Sequence, residues 1–127
     1  MKARKIIELE MQRPNVLESN SQFLFIKSEY KIRRINFADI LYIEGMKDYV
    51  KIYLKNELNP VLSISSLKVL ESKLPESRFM RIHRSFIVNL NCIEMIERNR
   101  VVFGRIFIPI SDQYKEAFQK FLDENFL

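Results

Sequence analysis

The sequence has few of the residues on which most enzyme and metal sites depend. Its 127 residues include one cysteine, Cys92, one histidine, His83, and two glycines, Gly45 and Gly104. A lone cysteine excludes an internal disulfide and a cysteine-based zinc site, and a lone histidine excludes a histidine-rich metal centre. Two isolated glycines do not form either usual phosphate-binding loop. We therefore expect no catalytic site, no metal site and no cofactor.

Long hydrophobic runs are also missing. No stretch approaches the roughly 18 apolar residues that a membrane-spanning helix requires, and the N-terminal MKARKIIELE has no apolar core of the length found in signal peptides. Hydrophobic residues make up 47% and charged residues 29%, a composition typical of a folded domain. We expect one cytoplasmic domain with no membrane partner.

Positive charge is concentrated in one part of the chain. The whole sequence carries 21 basic and 16 acidic residues, a net charge of +5. The stretch from Arg78 to Arg105 contains six arginines and only two acidic residues, Glu94 and Glu97. Arginine suits phosphates and guanine edges, but surface arginines also keep β-rich domains soluble. Charge alone leaves nucleic acid and other polyanions open as partners.

The apolar residues alternate with a period of two from Gln22 onward, which predicts short strands. One internal helix is expected, capped by Ser65 or Ser66 and stopped by Pro75, and a final helix starts at Ser111. Since no two helices are joined by a short turn, a helix-turn-helix DNA-binding motif is not expected. Residues 1–20 are interpreted as a linker or tail, and residues 21–127 as a mainly β domain. Nine strands are predicted, at 23–28, 31–36, 40–46, 48–55, 79–83, 86–88, 92–97, 101–103 and 106–110.

Three polar segments are candidates for contact with nucleic acid. The first lies at a strand end, where alternation places Arg81 and His83 on the same face of the strand. The second follows Gly45, which permits a positive φ. The third is the start of the last helix, directly after a capping serine. Each segment also has a purely structural interpretation, as a hydrogen-bonded histidine, a hairpin turn and a helix cap. The candidate DNA-contacting residues come from these three segments, together with Arg105, which lies in a separate turn. They are Lys47, Asp48, Tyr49, Arg81, His83, Arg84, Ser85, Arg105, Asp112, Gln113 and Lys115.

The sequence resembles the LytTR-type DNA-binding domain, an output domain of bacterial response regulators in two-component systems. The similarity runs from about Phe23 to Phe121 and includes ILYIEGMKDYVKIYL, SLKVLESKLPESRFMRIHRSFIVNLNCIEMI and IFIPISDQYKEAF. The most specific part is FMRIHRSFIVN, Phe79 to Asn89.

The resemblance implies an elongated, mostly β fold of short antiparallel sheets, whose loops enter the major groove of double-stranded DNA. It implies DNA contacts at Lys47 to Tyr49, at His83 to Ser85 and at Asp112 to Lys115. It also implies sequence-specific binding that regulates transcription, with a homodimer on paired direct repeats. A receiver domain and a sensor kinase are possible upstream partners, and the chain is either an output domain or a free-standing regulator.

One residue departs from the family pattern. Many relatives carry a base-reading arginine where this chain has Asp112, and a carboxylate cannot donate a hydrogen bond to guanine. Either the base preference differs here, or Asp112 only caps the helix and Gln113 or Lys115 reads the neighbouring bases.

Two alternatives belong to other functional classes. In the first, the domain is a basic protein-interaction or dimerisation module with only non-specific DNA affinity, and its contact surface is formed by Tyr30, Tyr42 and Tyr53. In the second, it is a small hydrolase or nuclease, for which the sequence supplies no carboxylate cluster that could hold a metal.

Overall fold

The computed structural model describes residues 22–127, so the predicted tail at residues 1–20 lies outside the described residues. Ten strands and two helices are present in this part, together with short 3-10 turns at Phe37–Asp39 and Leu90–Cys92. The elements are β1 (Phe23–Ser28), β2 (Lys31–Asn36), β3 (Ile40–Gly45), β4 (Val50–Leu54), β5 (Val61–Ser63), α1 (Leu67–Lys73), β6 (Phe79–His83), β7 (Phe86–Asn89), β8 (Met95–Glu97), β9 (Arg100–Phe103), β10 (Ile106–Pro109) and α2 (Asp112–Glu124).

The strands form three antiparallel sheets. A five-stranded sheet has the order β5-β4-β3-β7-β6, a three-stranded sheet has the order β10-β9-β8, and β1 pairs with β2 alone. The prediction of a mainly β domain with short antiparallel sheets and two helices is confirmed.

The five-stranded sheet lies in the middle because both of its faces are apolar. On one face, Ile43 and Ile87 join a cluster with residues of β1, β2 and α1. On the other face, Tyr42 and Val88 join a cluster with the three-stranded sheet and with Phe118 of α2. Side chains alternate along a strand, so adjacent residues enter opposite clusters.

One strand was missed, and the strand predicted at 92–97 begins later than expected. The strand β5, Val61–Ser63, has only three residues, which is too short to show an alternating pattern. The run predicted as a strand at 92–97 begins as a 3-10 turn, in which the Asn89 side chain accepts a hydrogen bond from the Asn91 N–H, and the strand starts at Met95.

Local backbone details settle three further points of the sequence analysis. Gly45 does not adopt a positive φ; glycine is required because a Cβ there would lie 2.6 Å from Cγ of Leu67. Ser66, not Ser65, caps α1 by accepting a hydrogen bond from the Val69 N–H. Ser111 occupies the N-cap position of α2, but its side chain makes no capping hydrogen bond.

The expected tyrosine contact surface does not exist. Tyr42 is 6% exposed and stacks on Tyr53 with ring centroids 4.4 Å apart, beneath Phe103 of the three-stranded sheet. Of the three tyrosines, only Tyr30 is fully exposed. The alternative that depended on this surface loses its structural basis.

Candidate nucleic-acid interface

The turn between β6 and β7 is held rigidly by Arg81. Its Nε donates to the His83 carbonyl at 3.1 Å, and its Nη2 donates to the Arg84 carbonyl at 2.5 Å. Its Nη1 lies 3.0 Å from a carboxylate oxygen of Glu71 on α1, and the Arg81 side chain is only 19% exposed. Arg81 was predicted to contact DNA, but in the structure two of its nitrogens bond to carbonyls of this turn and the third pairs with Glu71 of α1.

The same turn sets the tautomer of His83. The Ser85 N–H donates to Nδ1 of His83 at 3.0 Å, so in the neutral ring Nε2 carries the hydrogen. The ring lies edge-on to Phe86, with centroids 5.6 Å apart. The result is an oriented imidazole N–H donor next to the exposed side chain of Arg84.

A main-chain hydrogen bond joins this turn to the β3–β4 loop. The Gly45 N–H donates to the Ser85 carbonyl at 2.8 Å, and the loop is closed by a bond from the Met46 N–H to the Tyr49 carbonyl at 2.8 Å. The exposed Lys47 and Asp48 lie between these two points. Two of the three predicted segments are therefore neighbours, although about forty residues separate them in sequence.

The start of α2 is hydrogen-bonded to β6, the strand that leads into this turn. The Ser111 N–H donates to the Ile82 carbonyl at 2.9 Å, which brings the third predicted segment beside β6. The preceding Ile110 N–H donates to the Asn99 carbonyl at 3.0 Å, and this bond places the β8–β9 turn next to the start of α2. We call residues 46–49, 83–85, 111–115 and 98–99 the four linked segments.

Asp112 and Lys115 neutralise each other on α2. Lys115 Nζ lies 2.9 Å from Asp112 Oδ1, and this ion pair holds the pKa of the Asp112 carboxyl below its usual value. The Asp112 side chain is 95% exposed. Its visible role is to pair with Lys115, which neither of the two sequence-based interpretations included.

The structure does not bring Arg105 to the four linked segments. The register pairs Phe103 with Ile106 and Arg100 with Pro109, so Arg105 lies at the far end of the β9–β10 hairpin from Ser111. Arg98 was not among the predicted contact residues, yet its turn is one of the linked segments. The sequence feature that could have identified Arg98 is its position in an Arg-Asn-Arg turn within the arginine-rich stretch.

Residues 22–127 contain neither a candidate metal site nor a membrane-spanning helix. No group of three histidine, cysteine, aspartate or glutamate side chains in this range could hold a metal ion. Neither helix in this range is long and apolar enough to cross a membrane.

Comparison with known proteins points to one family. A family model described as the LytTr DNA-binding domain matches residues 30–123. The sensory transduction proteins LytT of Bacillus anthracis and Bacillus cereus are each 33% identical over 105 residues, which is 78% of this chain. LytT of Bacillus subtilis is 38% identical over 63 residues, covering 45% of this chain and 26% of that protein. The chain spans only 42% of the length of the first two relatives.

A solved structure agrees with the sequence comparison. A LytTr DNA-binding domain from Bacillus cereus superimposes with a TM-score of 0.67 at 25% identity. The match covers 81% of this chain and 98% of that domain.

Proposed function

This chain belongs to the LytTr DNA-binding domain family, and from that premise we propose that it binds double-stranded DNA sequence-specifically to regulate transcription. The observation that carries this proposal is the hydrogen-bonded continuity of the four linked segments. Four short segments that are separate in sequence present exposed polar side chains side by side, held by main-chain bonds of 2.8–3.0 Å. Such a firmly held set of loops can meet a DNA groove without large ordering costs.

The roles within this interface follow from the donor chemistry. Arg84 is exposed on a fixed turn, and an arginine fork can donate two hydrogen bonds to O6 and N7 of guanine. The Nε2–H of His83 adds a donor beside it, while Ser85, Tyr49 and Gln113 supply smaller polar contacts. Lys47 binds phosphate, which fixes the position of the protein without reading sequence. Lys115 binds phosphate more weakly because Asp112 shares its charge.

The wider assembly is also part of the proposal. We propose that two copies bind paired direct repeats as a homodimer. Because the LytT relatives are longer than this chain, we further propose that a receiver domain and a sensor kinase act upstream, within the bacterial cytoplasm. The family is a DNA-binding one and not a catalytic one, so the proposed function includes no reaction and no cofactor.

Selection from a random duplex library tests this proposal. The selected duplex and a scrambled control of equal length are then titrated at two salt concentrations. We expect two similar half-sites spaced by about one helical turn, with a selectivity of about 10³ or more. Equal, salt-sensitive affinity for both duplexes would contradict sequence-specific binding.

A further inference from the structure

At the start of α2, the positive charge of Lys115 is shared with an acidic side chain. Residues 112–116 include Asp112, Lys115 and Glu116 and therefore carry a net charge of −1. The lysine is already 2.9 Å from the Asp112 carboxylate. This end of the interface therefore offers a phosphate backbone little positive side-chain charge of its own, and a cation from another element would strengthen its contact with DNA.

The β8–β9 turn lies beside this position. Arg98 and Asn99 both adopt a positive φ, at 53° and 62°, and form a two-residue turn between the paired residues Glu97 and Arg100. The Asn99 carbonyl accepts a hydrogen bond from Ile110, one residue before the N-cap of α2. The turn is thus fixed next to the helix start.

The Arg98 side chain is exposed and makes no ion pair or side-chain hydrogen bond with the rest of residues 22–127. Arg100, by contrast, is half-buried and places its guanidinium 4.5 Å from the centroid of the Phe107 ring. Arg98 is the cation in this turn that is free to meet a ligand.

We propose that Arg98 is the phosphate-binding cation at the α2 end of the DNA interface. The inference rests on the proposed function and adds a contact residue to it. An arginine fork can bind a phosphate through two parallel hydrogen bonds. Arg98 thereby offsets the negative charge of residues 112–116 and allows the helix start to approach the backbone.

The test compares Arg98→Gln with the matched variant Arg105→Gln. Both arginines are exposed in hairpin turns of the same three-stranded sheet, and both changes remove one positive charge. Each variant is titrated with the selected duplex and with a scrambled duplex across a series of salt concentrations. The thermal unfolding midpoint of each variant verifies its fold, and Arg98→Asn serves as a second variant because asparagine tolerates positive φ.

For each bound copy of the domain, we expect Arg98→Gln to weaken binding to both duplexes about fivefold at about 0.15 M salt, and to reduce the salt slope by about 0.9, the value for one phosphate contact. Arg98→Lys should keep the slope, and Arg105→Gln should bind like the wild type. Equal affinities for Arg98→Gln and Arg105→Gln would overturn the inference, as would a loss confined to the selected duplex. If the wild type itself shows no salt-dependent affinity for either duplex, the proposed function fails and the inference fails with it.

Discussion

At the residue scale, Arg84 and Arg81 have opposite roles although only two residues separate them. Arg84 extends its side chain into solvent and contributes its carbonyl to the fold, whereas Arg81 directs its guanidinium inward to that carbonyl. We therefore expect Arg84 to act on DNA and Arg81 to act through the shape of the turn.

Replacement of Arg84 by alanine should leave stability unchanged and weaken binding to the selected duplex by about 1–3 kcal/mol, while relaxing the preference at one base position. The reason is that a bidentate contact to a base edge is lost, while the main-chain bonds of the turn remain. Binding to a set of duplexes with single base-pair changes measures both effects. A uniform loss across all these duplexes would show that Arg84 binds phosphate instead.

Replacement of Arg81 by glutamine should lower the free energy of unfolding by about 1.5–3 kcal/mol, since hydrogen bonds from a charged donor to two carbonyls are lost. The matched control is Glu71→Gln, which removes the ion pair but keeps both carbonyl contacts. Because the Glu71 side chain is 50% exposed, this control should cost at most about 1 kcal/mol. Urea unfolding distinguishes the two variants, and an equal loss for both would refute the role assigned to the carbonyl bonds.

At the element scale, one buried side chain connects two segments of the main chain. Asn89 is 1% exposed, and its Nδ2 donates to the Phe37 carbonyl at 3.0 Å and to the Ile40 carbonyl at 2.8 Å. Its Oδ1 accepts from the Asn91 N–H at 3.0 Å. The amide thus ties the end of β7 to the turn that enters β3.

Replacement of Asn89 by leucine keeps the branched shape of the side chain but leaves these polar groups buried without partners. We expect a loss of about 2–4 kcal/mol in the free energy of unfolding. Asn91→Leu is the matched control, because Asn91 is exposed and contributes its main-chain N–H to the network. Urea unfolding of both variants measures the difference, and similar stabilities would contradict the importance of this network.

The sequence predicted elements better than it predicted contacts between them. The sequence pattern located β1, β2 and β6 to the residue, although in β2 only Ile35 is buried. The ion pair of Asp112 with Lys115 could also have been expected from its i, i+3 spacing on a helix. The bonds from Gly45 to Ser85 and from Ser111 to Ile82 could not, since they join main-chain atoms of segments that are distant in sequence.

At the scale of the whole molecule, the two apolar clusters stabilise the five-stranded sheet, and one of them attaches the three-stranded sheet and α2 to it, so together they hold the four linked segments in place. Tyr42 lies in the cluster between the five-stranded and three-stranded sheets. The pKa of the Tyr42 phenol is raised from 10.0 to about 12, chiefly by burial and to a smaller extent by the nearby Tyr53 and Glu44.

Tyr42 should make the fold sensitive to alkaline pH. The phenol ionises at a lower pH in the unfolded chain than in the folded one, so its contribution to stability is complete below about pH 10 and is lost as the pH rises towards about 12. Tyr42→Phe should reduce this loss, while Tyr30→Phe, at a fully exposed position, should not. Unfolding free energies between pH 9 and 12 test this, and the same pH dependence in both variants would contradict it.

The central claim is that the four linked segments form one DNA-contacting surface. The most direct test follows backbone amide NMR signals of the wild-type domain as the selected duplex is added. We predict the largest shifts at residues 46–49, 83–85, 98–99 and 111–115, with little change at the Glu29–Tyr30 and Gly104–Arg105 turns. Large shifts at those two turns, with residues 83–85 unaffected, would contradict the claim.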